Sequence, residues 1–178
     1  RSGAICSVED PCIRLGLNYV RGLNKATAEA IAARQPFRDI AELTRRVPEL
    51  SKSDLETLAA IGALNSIRAK HRRDALWQAS WLSKPAADLL HESPEPAPES
   101  PLRQMTLDER LVSDHLGVGL TIGRHPMAYR RAEMDKLRVV PAAKLAAVPN
   151  GRVVRVAGNI IVRQRPGTAN GILFLSLE

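Results

Sequence analysis

Apolar positions in the first half of the chain recur at three- and four-residue spacing. Leu23, Ala26, Ala30, Ile31 and Ala33 share one helical face, and Ile40, Leu43 and Val47 form a second stripe. Leu55, Leu58 and Ala59 form a third, and Ala75, Leu76, Ala79 and Leu82 a fourth. Apolar side chains repeating with the helical period mark amphipathic helices that bury a common face. Pro36 and Pro48 interrupt the stripes, and Gly22 and Gly62 stand where the chain must turn tightly, so short helices joined by short turns are expected. The fourth helix is predicted from about Arg68 to Lys84, with Arg68, Lys70, His71, Arg72 and Arg73 in its first turns. Positive charge there opposes the helix dipole. That leaves two readings for the cluster: it faces an anion, or it is solvated.

The helical rhythm breaks at His91–Pro101, HESPEPAPESP, which has four prolines, three glutamates and no large apolar residue. Such a stretch buries too little surface to offset the entropy of ordering, and residues 91–104 read as a semi-stiff acidic linker. Thr106 and Glu109 then have the spacing of a capping box, predicting a helix to about His115. The glycines of the 117–123 segment suggest a phosphate loop, but the Gly-Lys-Ser/Thr ending and a preceding strand pattern are both absent. A turn leading through His125-Pro126-Met127 into a helix over 128–137 is expected instead. From Gly151 the period falls to two. Val154, Val156, Gly158, Ile160 and Val162 alternate with Val153, Arg155, Ala157, Asn159, Ile161 and Arg163, as in a half-buried strand. Residues 165–171 read as a loop and 172–177 as the returning strand, with Phe174 in its core. Gly158 within the first strand marks a bend or bulge. The fold class is α+β, with a helical domain at 1–90, the linker at 91–104, a helical connector at 105–150 and a strand domain at 151–178.

Composition narrows the function. The chain is 44% hydrophobic and 25% charged, and no apolar run approaches the ~20 residues that span a bilayer. A cytoplasmic protein without membrane contact is expected. The net charge of +7 and pI near 10 favour an acidic polymer as partner. The basic excess is greatest after residue 101. Cys6 and Cys12 lack a partner at zinc-ligand spacing and read as reduced thiols, so no metal site is expected. Residue 1 is Arg, and Leu175-Ser176-Leu177-Glu178 stops within an alternating pattern, so both ends are expected to continue into a longer chain.

Two constellations carry candidate chemistry. Val20-Arg21-Gly22-Leu23-Asn24-Lys25 has the hydrophobic-x-Gly-hydrophobic core of a helix-hairpin-helix turn. Glycine lets a phosphate approach the backbone amides, and the start of the next helix adds partial positive charge. Arg21, Gly22, Leu23, Asn24 and Lys25 are therefore candidates for gripping a DNA backbone. Asn24 stands where a second glycine is common, and Asn tolerates a positive φ. Along the strands, Arg155, Arg163 and Arg165 are candidates for single-strand contact through a basic groove; a solvated strand edge is the alternative. No residue is assigned a catalytic role, because Asp108 and Glu109 belong to the cap and the other acids are scattered. His125, Trp77 and Trp81 read as packing and turn residues.

Longer stretches resemble one family. Residues 13–65, from Val20-Arg21-Gly22-Leu23 through Pro36-Phe37-Arg38-Asp39-Ile40 and Arg45-Arg46-Val47 to Leu58-Ala59-Ala60-Ile61-Gly62-Ala63-Leu64-Asn65, are similar to the helix-hairpin-helix region of the bacterial C-family DNA polymerase III alpha subunit. Residues 105–137, with Asp114, Gly119-Leu120-Thr121-Ile122-Gly123 and His125-Pro126-Met127, resemble the connector that follows it. Arg155-Val156-Ala157-Gly158 through Arg163-Gln164-Arg165-Pro166-Gly167-Thr168-Ala169 resembles the opening of its OB domain, most of all in the error-prone, damage-tolerance paralogue.

The resemblance implies a fragment from the C-terminal half of an error-prone DNA-directed DNA polymerase, a nucleotidyltransferase of DNA repair and translesion synthesis. Residues 151–178 would then be the first strands of an OB-type barrel. It also implies Mg2+ in the full enzyme, held by carboxylates upstream of this segment, so that the segment alone is inactive. The implied partners are duplex primer-template, single-stranded template, accessory damage-response proteins and, through them, the sliding clamp. Replicative relatives carry a Gln-led clamp-binding peptide. Gln104-Met105-Thr106-Leu107 has the Gln and the Leu, but Asp108 stands where an aromatic anchor is expected, which favours the cap. A stand-alone DNA-binding adaptor and the OB anticodon-binding domain of a class II tRNA synthetase remain as alternatives. The upstream hairpin and the His-Pro-Met connector argue against the synthetase.

Overall fold

The computed structural model of the chain describes residues 2–82, 98–168 and 170–178, and three polar side chains start the first helices in it. Asn24 accepts a hydrogen bond from Ala26 N (2.9 Å) ahead of α1 (Lys25–Ala33), and Asp39 accepts one from Glu42 N (2.8 Å) ahead of α2 (Ile40–Arg46). Ser51 and Asp54 form a reciprocal capping box at the start of α3 (Lys52–Ala60). Each cap satisfies an amide that has no partner within its helix. The fourth helix, α4 (Arg72–Leu82), starts later than the charge pattern suggests. Arg68 has φ +63, which a right-handed helix cannot contain, and the helix forms after Asp74 accepts Lys70 N (2.7 Å) and His71 Nδ1 accepts Asp74 N (3.0 Å). Its expected end at Lys84 lies outside the described residues.

A short antiparallel hairpin that the periodicity did not reveal, β1 (Ser7–Glu9) with β2 (Cys12–Arg14), precedes a 3-10 turn at Leu17–Tyr19. Ile40, Leu43, Val47 and Leu58 are the largest fully buried side chains, and the helical stripes named above supply most of the core around them. Val118 joins that core from α5 (Leu107–Val118), which runs beyond its expected end at His115 and stops at Gly119, φ +77. Both bonds of the Thr106–Glu109 capping box are present.

Residues 91–97 of the expected linker lie outside the described residues. From Pro98 onward the chain runs along α4: Trp77 Nε1 donates to Pro98 O (3.0 Å) and Arg73 to Arg103 O (3.2 Å). These contacts carry α5 into the helical unit, and the division between two compact units falls between Ile122 and Gly123 instead of within 91–104.

In the second unit, α6 (Pro126–Tyr129) and α7 (Arg131–Lys136) replace the single helix expected over 128–137, with a break at Arg130; α8 (Ala142–Leu145) follows. β3 (Ile160–Gln164) pairs antiparallel with β4 (Phe174–Leu177), with an irregular register between Ile160 and Val162. The alternation from Gly151 does not produce one long strand. Val140 N donates to Arg155 O (2.8 Å) in an isolated parallel bridge, whereas Asn159 exchanges backbone bonds with Glu178 (2.8 and 2.9 Å), so the segment changes partners midway. Gly158 marks that change: a Cβ there would stand 2.9 Å from Glu178 O. The described residues form no closed barrel, and Phe174, expected in a core, is exposed.

Candidate nucleic-acid interface

Val20 is buried and Leu23 is partly buried against the same core, so the Arg21–Lys25 turn is anchored at both ends. Leu23 N donates to Val20 O (3.3 Å) across it. Gly22 has φ +81, and no atom lies within 4 Å of the position a Cβ would take. Glycine is needed here for the sign of its backbone angle, since other residues pay ~1–2 kcal/mol in that region, and the space beside it is open. Asn24 has φ −66, in contrast to the positive value anticipated, and it caps α1. With that cap on Ala26 N, no hydrogen bond from within the described residues engages the amides of Gly22, Asn24 and Lys25. The Lys25 ammonium is solvated, 3.9 Å from the Glu29 carboxylate. Arg21 is different: its amide donates to Gly117 O (2.7 Å) and is not available to a ligand. The five candidate residues thus meet in one turn that offers three open amides, the Lys25 ammonium paired at 3.9 Å with Glu29, and the Arg21 guanidinium, which has no carboxylate partner among the described residues.

The basic cluster before and within α4 resolves the other way. Lys70 pairs with Glu99 (2.5 Å), Arg73 with Glu109 (2.7 Å) and Arg72 with Asp114 (2.6 Å). Arg72 also donates to the carbonyls of Ala60 (3.2 Å) and Arg110 (3.3 Å), and the Asp114 carboxylate accepts from Thr121 Oγ1 (3.4 Å). These arginines bind α4 to α5. The Thr106 backbone amide and the Arg73 guanidinium hold the Glu109 carboxyl below its ordinary range, and the Lys70 ammonium does the same for Glu99. Among the described residues Arg68 alone of the cluster's Lys and Arg side chains has no carboxylate partner.

The three strand arginines do not form one face. Arg163 lies on β3 opposite Leu175 and Arg165 follows two residues later, both exposed. Arg155 sits outside the hairpin, where its guanidinium donates to Leu137 O (2.9 Å). Gln104-Met105-Thr106-Leu107 leads into the cap of α5, with Met105 Sδ accepting from Ser113 Oγ (3.8 Å). His125 caps α6 through Met127 N (3.2 Å). A cleft of about 320 Å3 lined by Leu17, Ile31, Phe37, Leu43 and Leu58 has no charged residue in its wall. Among the described residues no three His, Cys, Asp or Glu side chains are grouped to hold a metal ion.

Sequence reasoning missed the role of Gly117. Its signal was a glycine inside a helical pattern, which lowers helix propensity and often marks a close packing contact. A methyl group there would run into Ile61 Cγ2.

Comparison with known proteins agrees with the geometry of the hairpin. Residues 1–75 match the helix-hairpin-helix motif family. The chain is 45% identical over 175 residues to the error-prone DNA polymerase of Alkalilimnicola ehrlichii, a match that covers 95% of this chain and 16% of that protein. The proteins of the same name from Ralstonia pickettii and Azoarcus sp. are 42% and 40% identical, each over 94% of this chain and 16% of their own length. The chain thus spans about 16% of the length of the curated relatives it matches. At 40–45% identity along almost all of its length, it is a homologue of one segment of the bacterial error-prone DNA polymerases, a segment that opens with a helix-hairpin-helix motif.

Proposed function

We propose that this segment is the DNA-holding part of an error-prone DNA polymerase that acts in repair and translesion synthesis. The observation that carries the reading is the Arg21–Lys25 turn, whose Gly22, Asn24 and Lys25 amides are open beside a solvated ammonium. Backbone amides and a helix start suit a phosphate oxygen and carry no base specificity. A grip of that kind holds primer-template duplex whatever its sequence, as a polymerase that copies damaged templates requires. The second element of the proposal is the β3–β4 hairpin as the opening of an OB-type barrel. There Arg163, Arg165 and the exposed Phe174 meet single-stranded template by charge and stacking, and Arg155 supports the segment through Leu137. Nucleotidyl transfer itself belongs to Mg2+-binding carboxylates elsewhere in the polymerase. The same reading makes the polymerase cytoplasmic, and brings in accessory damage-response proteins as its link to the sliding clamp.

The test is a duplex titration of the chain at several salt concentrations. Gly22→Val forces a β-branched residue into φ +81 and is expected to weaken binding about tenfold, equivalent to ~1.4 kcal/mol. Lys25→Ala is expected to lower the slope of log K against log salt by about 0.9, the loss of one phosphate contact. Wild-type curves for both variants would remove the hairpin from the interface.

A further inference from the structure

Of the two hairpin amides already bonded, that of Arg21 is spent on a residue nearly a hundred positions away, and the elements around that contact are built to bring the two together. Gly117 O accepts Arg21 N at 2.7 Å. The last turn of α5 can come this close because Gly117 has no side chain: a Cβ there would collide with Ile61 Cγ2, at the end of α3. The cap that ends the helix, Gly119, lies under the Arg21 guanidinium, whose Nη2 would stand 2.8 Å from a Cβ at that position. One turn earlier, Asp114 is 3% exposed and bound to Arg72, which itself reaches the α3 carbonyl of Ala60. Val118 buries its side chain in the shared core. None of these α5 residues falls within residues 1–75, the part matched by the helix-hairpin-helix motif.

We propose that the C-terminal turn of α5 positions the phosphate-gripping hairpin, with Gly117 fixing the Arg21 peptide and the Arg72–Asp114 pair holding the turn against α3. The reasoning is geometric. A phosphate site made of amides works only if consecutive peptide planes are held at set angles, and a short turn with a positive-φ glycine has few internal bonds to hold them. The bond from Arg21 N to Gly117 O immobilises the Val20–Arg21 peptide, the one that leads into the Arg21–Gly22 peptide of the turn. Gly117 and Asp114 are therefore positioning residues for the grip: they touch no DNA and act through Arg21. The proposal rests on the hairpin being the duplex contact.

The experiment compares Gly117→Ala and Asp114→Asn with Gly22→Val in the full chain. It measures duplex affinity and site-resolved amide hydrogen exchange, with the buried Ala59 amide as internal reference. Gly117→Ala is expected to speed Arg21 exchange about tenfold or more with Ala59 little changed, because opening is local, and to weaken duplex binding about three- to tenfold. Asp114→Asn is expected to move both readouts in the same direction by less. Equal acceleration at Arg21 and Ala59 in both variants would make α5 a general structural support and overturn the proposal. So would faster Arg21 exchange with unchanged duplex affinity, provided that Gly22→Val does weaken binding. If Gly22→Val leaves binding intact, the hairpin reading itself fails, and the exchange data then report only what α5 does to the turn.

Discussion

Leu58 in α3 and Leu175 in β4 carry the same side chain into opposite circumstances, 2% exposed in one case and 47% in the other. The contrast extends to their units. In the helical unit each stripe of apolar residues meets another across a short turn, and the stripes close around Ile40, Leu43 and Val47. Among the described residues of the second unit Val139 is the buried hydrophobic residue, while Ile160, Ile161, Phe174 and Leu177 of the two-stranded sheet are all exposed. A helix with one apolar face needs one neighbour, whereas a strand pair has two faces and needs a layer against at least one of them. Apolar content alone therefore does not tell how well a region is held. Among the described residues the helical stripes are covered by one another, and the two-stranded sheet is covered on neither face.

That comparison is most directly broken by truncating the two leucines in turn. Leu58→Ala is expected to destabilise the helical unit by ~2–5 kcal/mol, the cost of a buried cavity. Leu175→Ala is expected to stay within about 0.5 kcal/mol, as for a surface substitution. Urea unfolding followed by fluorescence reports the first cleanly, because both tryptophans, Trp77 and Trp81, lie in α4 of the helical unit. Circular dichroism in the strand region serves for the second. Comparable losses for the two variants would mean that the β hairpin is packed in solution and that its exposure is no guide to its energetics.

The same contrast explains what could be read from the sequence. The stripes of the first half appear as helices because a helix's period is local, and its caps at Asn24, Asp39, Ser51 and Thr106 lie within three residues of what they bond. The hairpin was legible for the same reason: Gly22 and the start of α1 are neighbours in sequence. What failed was long-range. Strand partners are not written in the alternation around Arg155, which is bridged to Val139, accepts a bond from Val140 N and leaves Arg163 and Arg165 on a different element. Nor does charge order tell that Arg72 and Arg73 turn inward to Asp114 and Glu109. The placement of α5 with the helices depends on these pairs, so an acidic, proline-rich stretch was read as a boundary that the contacts cross.

A sharper test of that boundary is Thr106→Ala, which removes the side-chain acceptor of Glu109 N while leaving the Glu109 carboxylate its bonds to the residue 106 backbone amide and to Arg73. If α5 is part of the helical unit, the tryptophan-reported unfolding of α4 should lose ~1 kcal/mol, the usual worth of an N-cap. If α5 belonged to an independent connector, the tryptophan signal would not change and a helical signal elsewhere would weaken.

The smallest expected effect separates the units by pH. Arg34 holds Glu49 through two hydrogen bonds (2.6 and 2.9 Å) and also donates to Arg46 O (2.9 Å), tying the end of α1 to the chain around α2. Chiefly through that guanidinium, the Glu49 carboxyl falls from its ordinary 4.5 to about 2. A carboxyl whose folded pKa is depressed stabilises the fold fully above its unfolded pKa and loses that contribution as pH falls toward the folded value. The window here is therefore about 4.5 down to about 2, and the direction is loss of stability with acid. Both side chains are well exposed, so solvent screening keeps the effect small. In the second unit the Arg131–Asp135 pair, at 3.9 Å, joins neighbours on one helix. The tryptophan-reported midpoint should therefore fall with pH across that window, and Arg34→Gln should flatten its slope without touching the strand signal. An unchanged slope in Arg34→Gln would mean that the pair is open in solution, and that apolar burial accounts for the difference between the units without help from this ion pair.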